Sequence, residues 1–227
     1  MRLRRRRDET PASESDRTSD GTGPGVEGSA DVTPAEGGVG PHDVAAPGIA
    51  AVVENDPAYV DLGALRVKMR EGVELRINTD PASGAVIAVV FATAEGSVEL
   101  RVFAAPRSGG VWEGVRAEIT EQFAKRGGSA RERDGAYGTE LMAALPVTLP
   151  DGRAGAQPSR IVGIEGPRWL LRATFLGRPA LQPDSDGVLE SALRDVVVVR
   201  GTEPMAPREP LVLRLPANAQ PYTAPPA

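Results

Sequence analysis

The chain of 227 residues contains no cysteine and one histidine, His42. Without thiol groups it cannot form disulfide bonds, cysteine nucleophiles, zinc ribbons or iron–sulfur clusters. His42 lies in an N-terminal segment that contains no aromatic residue, which predicts disorder there. We therefore expect no imidazole in the folded part of the chain to act as a general base or as a metal ligand.

The sequence also lacks a surplus of positive charge and any long apolar run. Its 26 basic and 31 acidic residues give a formal net charge of -5, which argues against a protein that binds nucleic acid by bulk electrostatics. The longest apolar stretches, residues 85–92 and 196–199, are far shorter than the roughly 18 residues of a membrane span. Asp8 and Glu9 stand where a signal peptide needs apolar residues. These features predict a soluble, cytoplasmic protein.

Residues 1–56 are predicted to be a disordered tail, because isolated apolar residues among Gly, Pro, Ser, Asp and Glu cannot offset the entropy of ordering. The tip of this tail is basic and the remainder is acidic. The basic tip could contact nucleic acid or an anionic membrane, although a solubilising tail is the simpler interpretation. The arginines of the tip are Arg2, Arg4, Arg5, Arg6 and Arg7.

Residues 57–216 have the composition of one folded domain, and the Pro-rich residues 217–227 are predicted to be a second disordered tail. Apolar and polar residues alternate over 73–78 and 98–102, which predicts half-buried strands. The apolar run 85–92 between them predicts a central strand of antiparallel hairpins. A fourth strand is predicted at Leu65, Val67 and Met69.

A helix is predicted next, because Trp112, Val115, Ile119 and Phe123 fall on one helical stripe. Gly127 and Gly128 are expected to end it. Further strands are predicted at 139–147, 160–165, 168–176 and 196–199, with a short helix at 186–194. The fold class is therefore α+β, with a mainly antiparallel sheet of about 7–9 strands and two helices on one side.

Several sequence blocks together resemble a known family. The blocks are FAAPRSGGVWEGVR (103–116), GTEL (138–141), VGIEGPRWLLR (162–172) and VVVVRGTEPMAPR (196–208). They resemble the actinobacterial family called domain of unknown function 3710, with Glu165 standing where we expect Asp. The resemblance covers about residues 57–216 and implies a single cytosolic domain, and the family has no established activity that could be transferred. The order of elements is also similar, by analogy, to the Mog1/PsbP-like sandwich.

No catalytic, cofactor or metal site is predicted. The sequence has no Gly-rich phosphate-binding loop after a strand and no calcium-loop spacing. The carboxylates of Asp184 and Asp186 are interpreted as a solvated loop and helix start rather than as an acid/base or magnesium pair.

One candidate site is an anion-binding loop at Arg107, Ser108, Gly109 and Gly110. Free N–H groups at a helix start can hold a phosphate or a carboxylate. The alternative is that Ser108 caps the helix and the glycines only turn the chain.

A second candidate is a partner-binding set of arginines near the two tryptophans, which could recognise an acidic peptide. The set comprises Arg116, Arg168, Arg172, Arg200 and Arg208. The alternative, which we favour, places Trp112 and Trp169 in the core and pairs the arginines with acidic residues of the same domain. Two functions follow: a non-catalytic module that binds an unknown protein partner as an adaptor, or a small-anion-binding protein or enzyme using Arg and carboxylate side chains.

Overall fold

The computed structural model describes residues 40–216, and the predictions for residues 1–39 and 217–227 lie outside them. The described chain contains eleven strands and four helices. In order, they are β1 (His42–Asp43), α1 (Ile49–Asn55), β2 (Tyr59–Asp61), β3 (Leu65–Lys68), β4 (Glu74–Thr79), β5 (Val86–Ala92), β6 (Gly96–Ala104), α2 (Val111–Lys125), β7 (Ser129–Gly135), β8 (Gly138–Thr148), β9 (Ala154–Gly166), β10 (Trp169–Gly177), α3 (Arg178–Leu181), α4 (Val188–Arg194) and β11 (Val197–Val198).

Seven strands form one antiparallel sheet in the order β4-β5-β6-β10-β9-β8-β7, which confirms the predicted α+β class. Short hairpins join most neighbours in this sheet. At the β4–β5 turn, Asp80 Oδ1 accepts hydrogen bonds from the N–H groups of Ala82 and Ser83, at 3.0 and 2.8 Å. Such a side-chain cap fixes a tight turn locally. The apolar run lies between β4 and β6 as predicted, while β10 occupies the centre of the sheet.

The two faces of this sheet carry separate cores. Leu171, on β10, packs in a cluster with residues of β6, the small sheet and α4. Leu170, its neighbour, packs in a second cluster with Trp112 and Ile119 of α2. Because successive side chains of a strand point to opposite faces, α2 and α4 lie on opposite sides of the sheet. The prediction of two helices on one side was therefore wrong: periodicity locates a helix but does not say which face it covers.

The predicted helix over residues 112–123 is confirmed within α2, and it ends at the predicted glycines, where Gly127 has a φ of 74°. A glycine also sets how closely α2 approaches the sheet. A Cβ atom at Gly163 of β9 would lie 2.1 Å from the indole of Trp112. The missing side chain lets the indole lie directly on the strand, where Trp112 Nε1 donates to the carbonyl oxygen of Thr139 at 2.8 Å.

The remaining strands form a four-stranded sheet in the order β1-β11-β3-β2. The fourth strand predicted at Leu65, Val67 and Met69 corresponds to β3, which pairs with β2 and β11 rather than with the strands of the larger sheet. Alternation identifies a strand, but its partner depends on long-range packing. Leu65 and Val67 are buried against the core shared with α4.

The folded region begins earlier than the predicted boundary at residue 57. Residues 40–56, assigned to the disordered tail, contain β1 and α1. β1 pairs in parallel with β11, His42 opposite Val197, and Asp43 Oδ2 accepts a hydrogen bond from Trp169 Nε1 at 2.7 Å. These distant partners order a segment too polar to fold by its own composition. Within residues 40–216, no helix combines the length and apolar character needed to cross a membrane.

Candidate functional site

A cleft of about 640 Å³ opens on the sheet face that α4 covers. Four parts of the fold supply its walls: the start of the described chain at Gly40 and His42, the β7–β8 turn, strands β8 and β9, and the segment that includes α4. The side chains that matter chemically are His42, Tyr137, Glu140, Arg160, Asp186, Glu190, Arg194 and Asp195.

The cleft lies over three fully or almost fully buried charged residues. Glu140 and Arg160 are 1% exposed and Glu190 is 4% exposed. Glu140 comes from β8, Arg160 from β9 and Glu190 from α4, so the cluster joins the sheet to the helix. Arg133, exposed on β7, lies within ion-pair distance of Glu140, so two guanidinium groups face the two carboxylates. Charged residues are rarely buried unless they are paired, which sets this cluster apart from the apolar core around it.

Arg160 is held by several partners. Its Nη2 donates to Glu190 Oε1, and its guanidinium lies 4.1 Å from the centre of the Phe175 ring. Its Nε lies 3.2 Å from Glu140 Oε2, within ion-pair distance but without hydrogen-bond geometry. Arg160 is thus bonded to Glu190 and only electrostatically paired with Glu140.

Glu140 is the unusual member of the cluster. No donor among the described residues makes a hydrogen bond to either of its carboxylate oxygens, although both oxygens are buried. Arg133 Nη2 lies 3.6 Å from Glu140 Oε2, beyond hydrogen-bond distance. Gly135 leaves the space that this carboxylate occupies, because a Cβ there would lie 2.2 Å from it. A buried ionised oxygen without a hydrogen bond is costly, so this position favours a partner from outside the described chain.

Tyr137 stands in the β7–β8 turn beside this cluster. Burial raises the pKa of its phenol, and the negative charge of Glu190, which shares a hydrogen bond with it, raises the pKa further. Tyr137 therefore stays neutral at physiological pH and keeps its proton as a donor.

The rim of the cleft is also charged. Asp195 pairs with Arg70, while Arg194 Nη2 donates to Ser191 Oγ at 2.9 Å and its Nη1 donates to the Ser185 carbonyl oxygen. Asp186 adds a carboxylate from an exposed loop. No group of His, Asp and Glu residues in the described part of the chain could hold a metal ion. The cleft therefore offers carboxylates, two aromatic rings and hydrogen-bond donors, without a metal centre among residues 40–216.

A neighbouring cleft of about 390 Å³ shares Pro183, Ser185 and Glu190 with the first. Its main charged pair is exposed, and the two side chains already bind each other, with Arg178 Nη1 at 2.6 Å from Glu95 Oε1. It contains no buried polar atom that lacks a partner in the described chain. We therefore regard the larger cleft as the candidate site.

The predicted anion-binding loop lies away from this cleft, and its amides already hold a carboxylate of the same chain. Gly110 N–H donates to Glu165 Oε2 at 2.8 Å, and Trp112 N–H donates to Glu165 Oε1 at 2.7 Å. The residue at the N-cap position is Gly110 rather than Ser108. The backbone N–H groups at the start of α2 can therefore bind an anion, and the carboxylate of Glu165 occupies that position.

Three of the predicted partner-binding arginines, Arg116, Arg200 and Arg208, have partners within the described chain. Arg116 donates to Glu132 at 2.9 Å, and Arg208 pairs with Glu118 of α2. Arg200 Nε donates to the carbonyl oxygen of Arg168 at 3.0 Å, so these two residues are neighbours.

Arg172 points to the α2 side of the sheet, 5.6 Å from the Phe103 ring centre. Burial, followed by the charge of Arg101, lowers its pKa. Trp112 and Trp169 are both buried, as the interpretation that we favoured predicts.

The residues of the cleft were not predicted from the sequence. His42 was assigned to a disordered segment, and Tyr137, Arg160 and Glu190 carry no motif. One signal was present: Arg160 follows the same alternation as Val162 and Ile164, which places an arginine on the apolar face of a strand. From the sequence, Glu140 was only one of the acidic residues of the domain with which the arginines could pair.

These features define the protein as an α+β domain with a cleft over a buried ionic cluster. The chain belongs to the family described as protein of unknown function DUF3710, whose model matches residues 40–222. No curated protein is significantly similar to it in sequence. Among solved structures, it is similar to cyanobacterial PsbP (CyanoP) from Synechocystis sp. PCC 6803, with 10% identity and a TM-score of 0.34, over 64% of this chain and 95% of that chain. A likeness at this level supports no statement about function.

Proposed function

We propose that this protein is a non-catalytic binding or adaptor module of the actinobacterial cytoplasm and that the cleft over Glu140, Arg160 and Glu190 is its binding site. The observation that carries the proposal is the buried carboxylate of Glu140, which no described donor satisfies, at a cleft large enough for a small molecule or a side chain. A role for this cluster in stability alone is disfavoured, because a buried ion pair often stabilises a fold no more than apolar packing of similar volume does.

Glu190 is bonded to both Tyr137 and Arg160, and these bonds hold the wall of the cleft in place. A rigid wall with one unsatisfied acceptor suits recognition of a ligand that supplies the missing donor.

The test is a fragment screen by amide chemical-shift mapping, with cationic, neutral and anionic fragments of similar size. We expect at least one fragment to shift the amides of Tyr137 and Glu140 in a saturable way. Ala136→Trp, at the exposed rim of the cleft, should abolish these shifts, whereas Ala82→Trp, in the exposed β4–β5 turn, should not. If no fragment of any charge shifts the cleft amides, the binding-module proposal is wrong.

A further inference from the structure

The large sheet carries a half-buried surface beside α2, on the side opposite the cleft. α2 packs over β7, β8 and β9, whereas the helices that contact β5 and β6 are α4 and α3, whose buried residues belong to the core on the other side. Strands β5, β6 and β10 therefore present half-buried side chains next to α2. These side chains, which we call the open face, are Val90, Glu99, Arg101, Phe103, Arg172 and Thr174.

Two arginines of the open face stand directly opposite each other. Arg172 of β10 is the register partner of Arg101 of β6. Like charges at such a cross-strand position repel each other. Arg101 is compensated, because its Nε donates to Glu99 Oε1 at 2.8 Å. The other oxygen of Glu99 accepts a hydrogen bond from Asn78 Nδ2 at 3.3 Å, so this carboxylate already has two partners.

Arg172 has no such compensation. Among the described residues it forms no ion pair and donates no hydrogen bond, and its contact is the ring of Phe103. Burial lowers its pKa most, and the charge of Arg101 lowers it more than the charge of Glu99 raises it. A half-buried guanidinium without an acceptor is costly, so the position of Arg172 favours an acceptor from outside the described chain.

The charges around Arg172 leave one positive charge over. The open face contains two guanidinium groups and one carboxylate, that of Glu99. On the neighbouring strand β4, Arg76 and Glu74 bind each other at 2.7 Å and add no net charge. A carboxylate can accept two parallel N–H bonds from one guanidinium. One carboxylate would therefore supply Arg172 with both acceptors and the missing negative charge.

The surroundings of Arg172 fit a polypeptide better than a small anion. Arg172 lines neither of the two clefts described above, and small molecules are usually held in concave pockets. Val90 and Phe103 add half-buried apolar surface to the open face. A mixture of apolar surface and an arginine is typical of protein–protein interfaces.

We infer that the open face binds an acidic segment of a partner protein, with Arg172 donating to an aspartate or glutamate carboxylate. This surface lies across the sheet from the cleft, so it would give an adaptor a second point of contact. The inference does not depend on ligand binding in the cleft.

The experiment uses three probes on the full-length protein: a capped Leu-Glu-Leu peptide, its Leu-Gln-Leu counterpart, and acetate. Binding is followed by the amide shifts of Arg101 and Phe103 and by the side-chain Nε–H signal of Arg172. We expect the Glu peptide to bind about tenfold more tightly than the Gln peptide, because a charge-assisted bond replaces a neutral one. Acetate, which lacks the apolar contacts, should bind more weakly than the Glu peptide.

Two substitutions identify the group that binds the carboxylate. Arg172→Gln should remove the difference between the two peptides, as read from the Arg101 amide. Glu99→Gln should strengthen binding of the Glu peptide about threefold, because it removes the negative charge beside the bound carboxylate. Arg131→Gln removes an exposed arginine from the edge strand β7 and should leave binding unchanged.

Equal binding of the two peptides, or an undiminished preference for Glu in Arg172→Gln, would overturn the inference. Acetate binding as tightly as the Glu peptide would also overturn it, because the site would then be one for small anions. Since the amides of Tyr137 and Glu140 report on the cleft separately, each of these results leaves the proposed function standing.

Discussion

At the scale of single residues, Arg160 is the residue whose loss should change stability most. It is the only cation of the described chain that contacts both Glu140 and Glu190, and all three are buried. Arg160→Met would remove the paired cation of the buried Glu190 and leave Glu140 with only the exposed Arg133 at 3.6 Å; breaking a buried pair in this way typically costs about 3–5 kcal/mol of unfolding free energy. Urea unfolding followed by circular dichroism measures this loss.

Arg153→Met is the matched control for this prediction. Arg153 pairs with Asp151 at 2.7 Å on an exposed turn, and such pairs contribute roughly 0–1 kcal/mol. Equal effects of the two substitutions would mean that the buried cluster contributes no more than a surface pair.

Individual site residues were the least predictable part of the protein. Trp112 and Trp169 were expected in the core because each begins an apolar stripe, and both are buried. The buried ionic cluster forms only when β8, β9 and α4 pack together and bring Glu140, Arg160 and Glu190 into contact. No local sequence pattern predicts that packing. His42 was missed for the same reason, since its strand is ordered by Val197, which is far away in sequence.

At the scale of elements, the start of α2 depends on Glu165. The carboxylate binds two N–H groups of the first turn, where the helix dipole favours negative charge. Glu165→Ala should lower the free energy of unfolding by about 1–2 kcal/mol, the usual cost of losing an N-terminal cap. Thermal and urea unfolding would measure it, with Glu121→Ala in the exposed pair with Lys125 as the control.

The same substitution tests the predicted anion loop. With Glu165 removed, we expect sulfate to shift the amide signals of Gly109 and Gly110, because the vacated N–H groups can then bind it. In the unsubstituted protein, sulfate must compete with the carboxylate, so the shift should be much smaller. Equal shifts in both proteins would mean that Glu165 does not occupy the anion position in solution.

The N-terminal element β1 offers a second test. Asp43 accepts hydrogen bonds from Trp169 Nε1 and from the backbone N–H of Ala45, each at 2.7 Å. Asp43→Ala should destabilise the full-length protein by about 1–3 kcal/mol, because the buried indole N–H loses its partner. Glu54→Ala, exposed on α1, should change stability little. If Asp43→Ala did not lower the free energy of unfolding, residues 40–56 would belong to the disordered tail that the composition predicted.

Elements formed by neighbours in sequence were predictable, and elements assembled from distant segments were not. The hairpins β4–β5 and β5–β6 and the helix α2 follow from alternation, turns and a helical stripe. The small sheet joins β1 near residue 42 to β11 near residue 197, and the side of the sheet that each helix covers depends on the whole core.

At the scale of the whole molecule, stability should fall at both ends of the pH range. Interactions with Lys68, Arg76 and Ser83 lower the pKa values of Asp56, Glu74 and Asp80, respectively, so their contribution is present above the unfolded pKa values and is lost as pH falls below them. Burial raises the pKa of Tyr59 and Tyr137 above 10, so the folded state holds their protons more tightly. Stability from these phenols is complete below about pH 10 and is lost as pH rises beyond it.

Tyr137→Phe tests the predicted loss of stability at alkaline pH. Phenylalanine does not ionise, so the urea midpoint of this variant should fall less between about pH 8 and pH 10.5 than that of the unsubstituted protein. The variant loses the hydrogen bond with Glu190, so its absolute stability at about pH 8 is lower. If the urea midpoint falls equally in the variant and in the unsubstituted protein between these two pH values, the loss of stability at alkaline pH comes from other groups.

The placement of α2 and of the small sheet on opposite faces gives the protein two built-in optical reporters. The chain has two tryptophans, and each is buried in a different core, Trp112 under α2 and Trp169 beside Asp43. Replacing one by phenylalanine leaves emission from the other face alone. Matching unfolding midpoints in the two single-tryptophan proteins, after correction for the lost stability, would show that the seven-stranded sheet couples its two cores into one cooperative unit; separated midpoints would show that each core melts by itself.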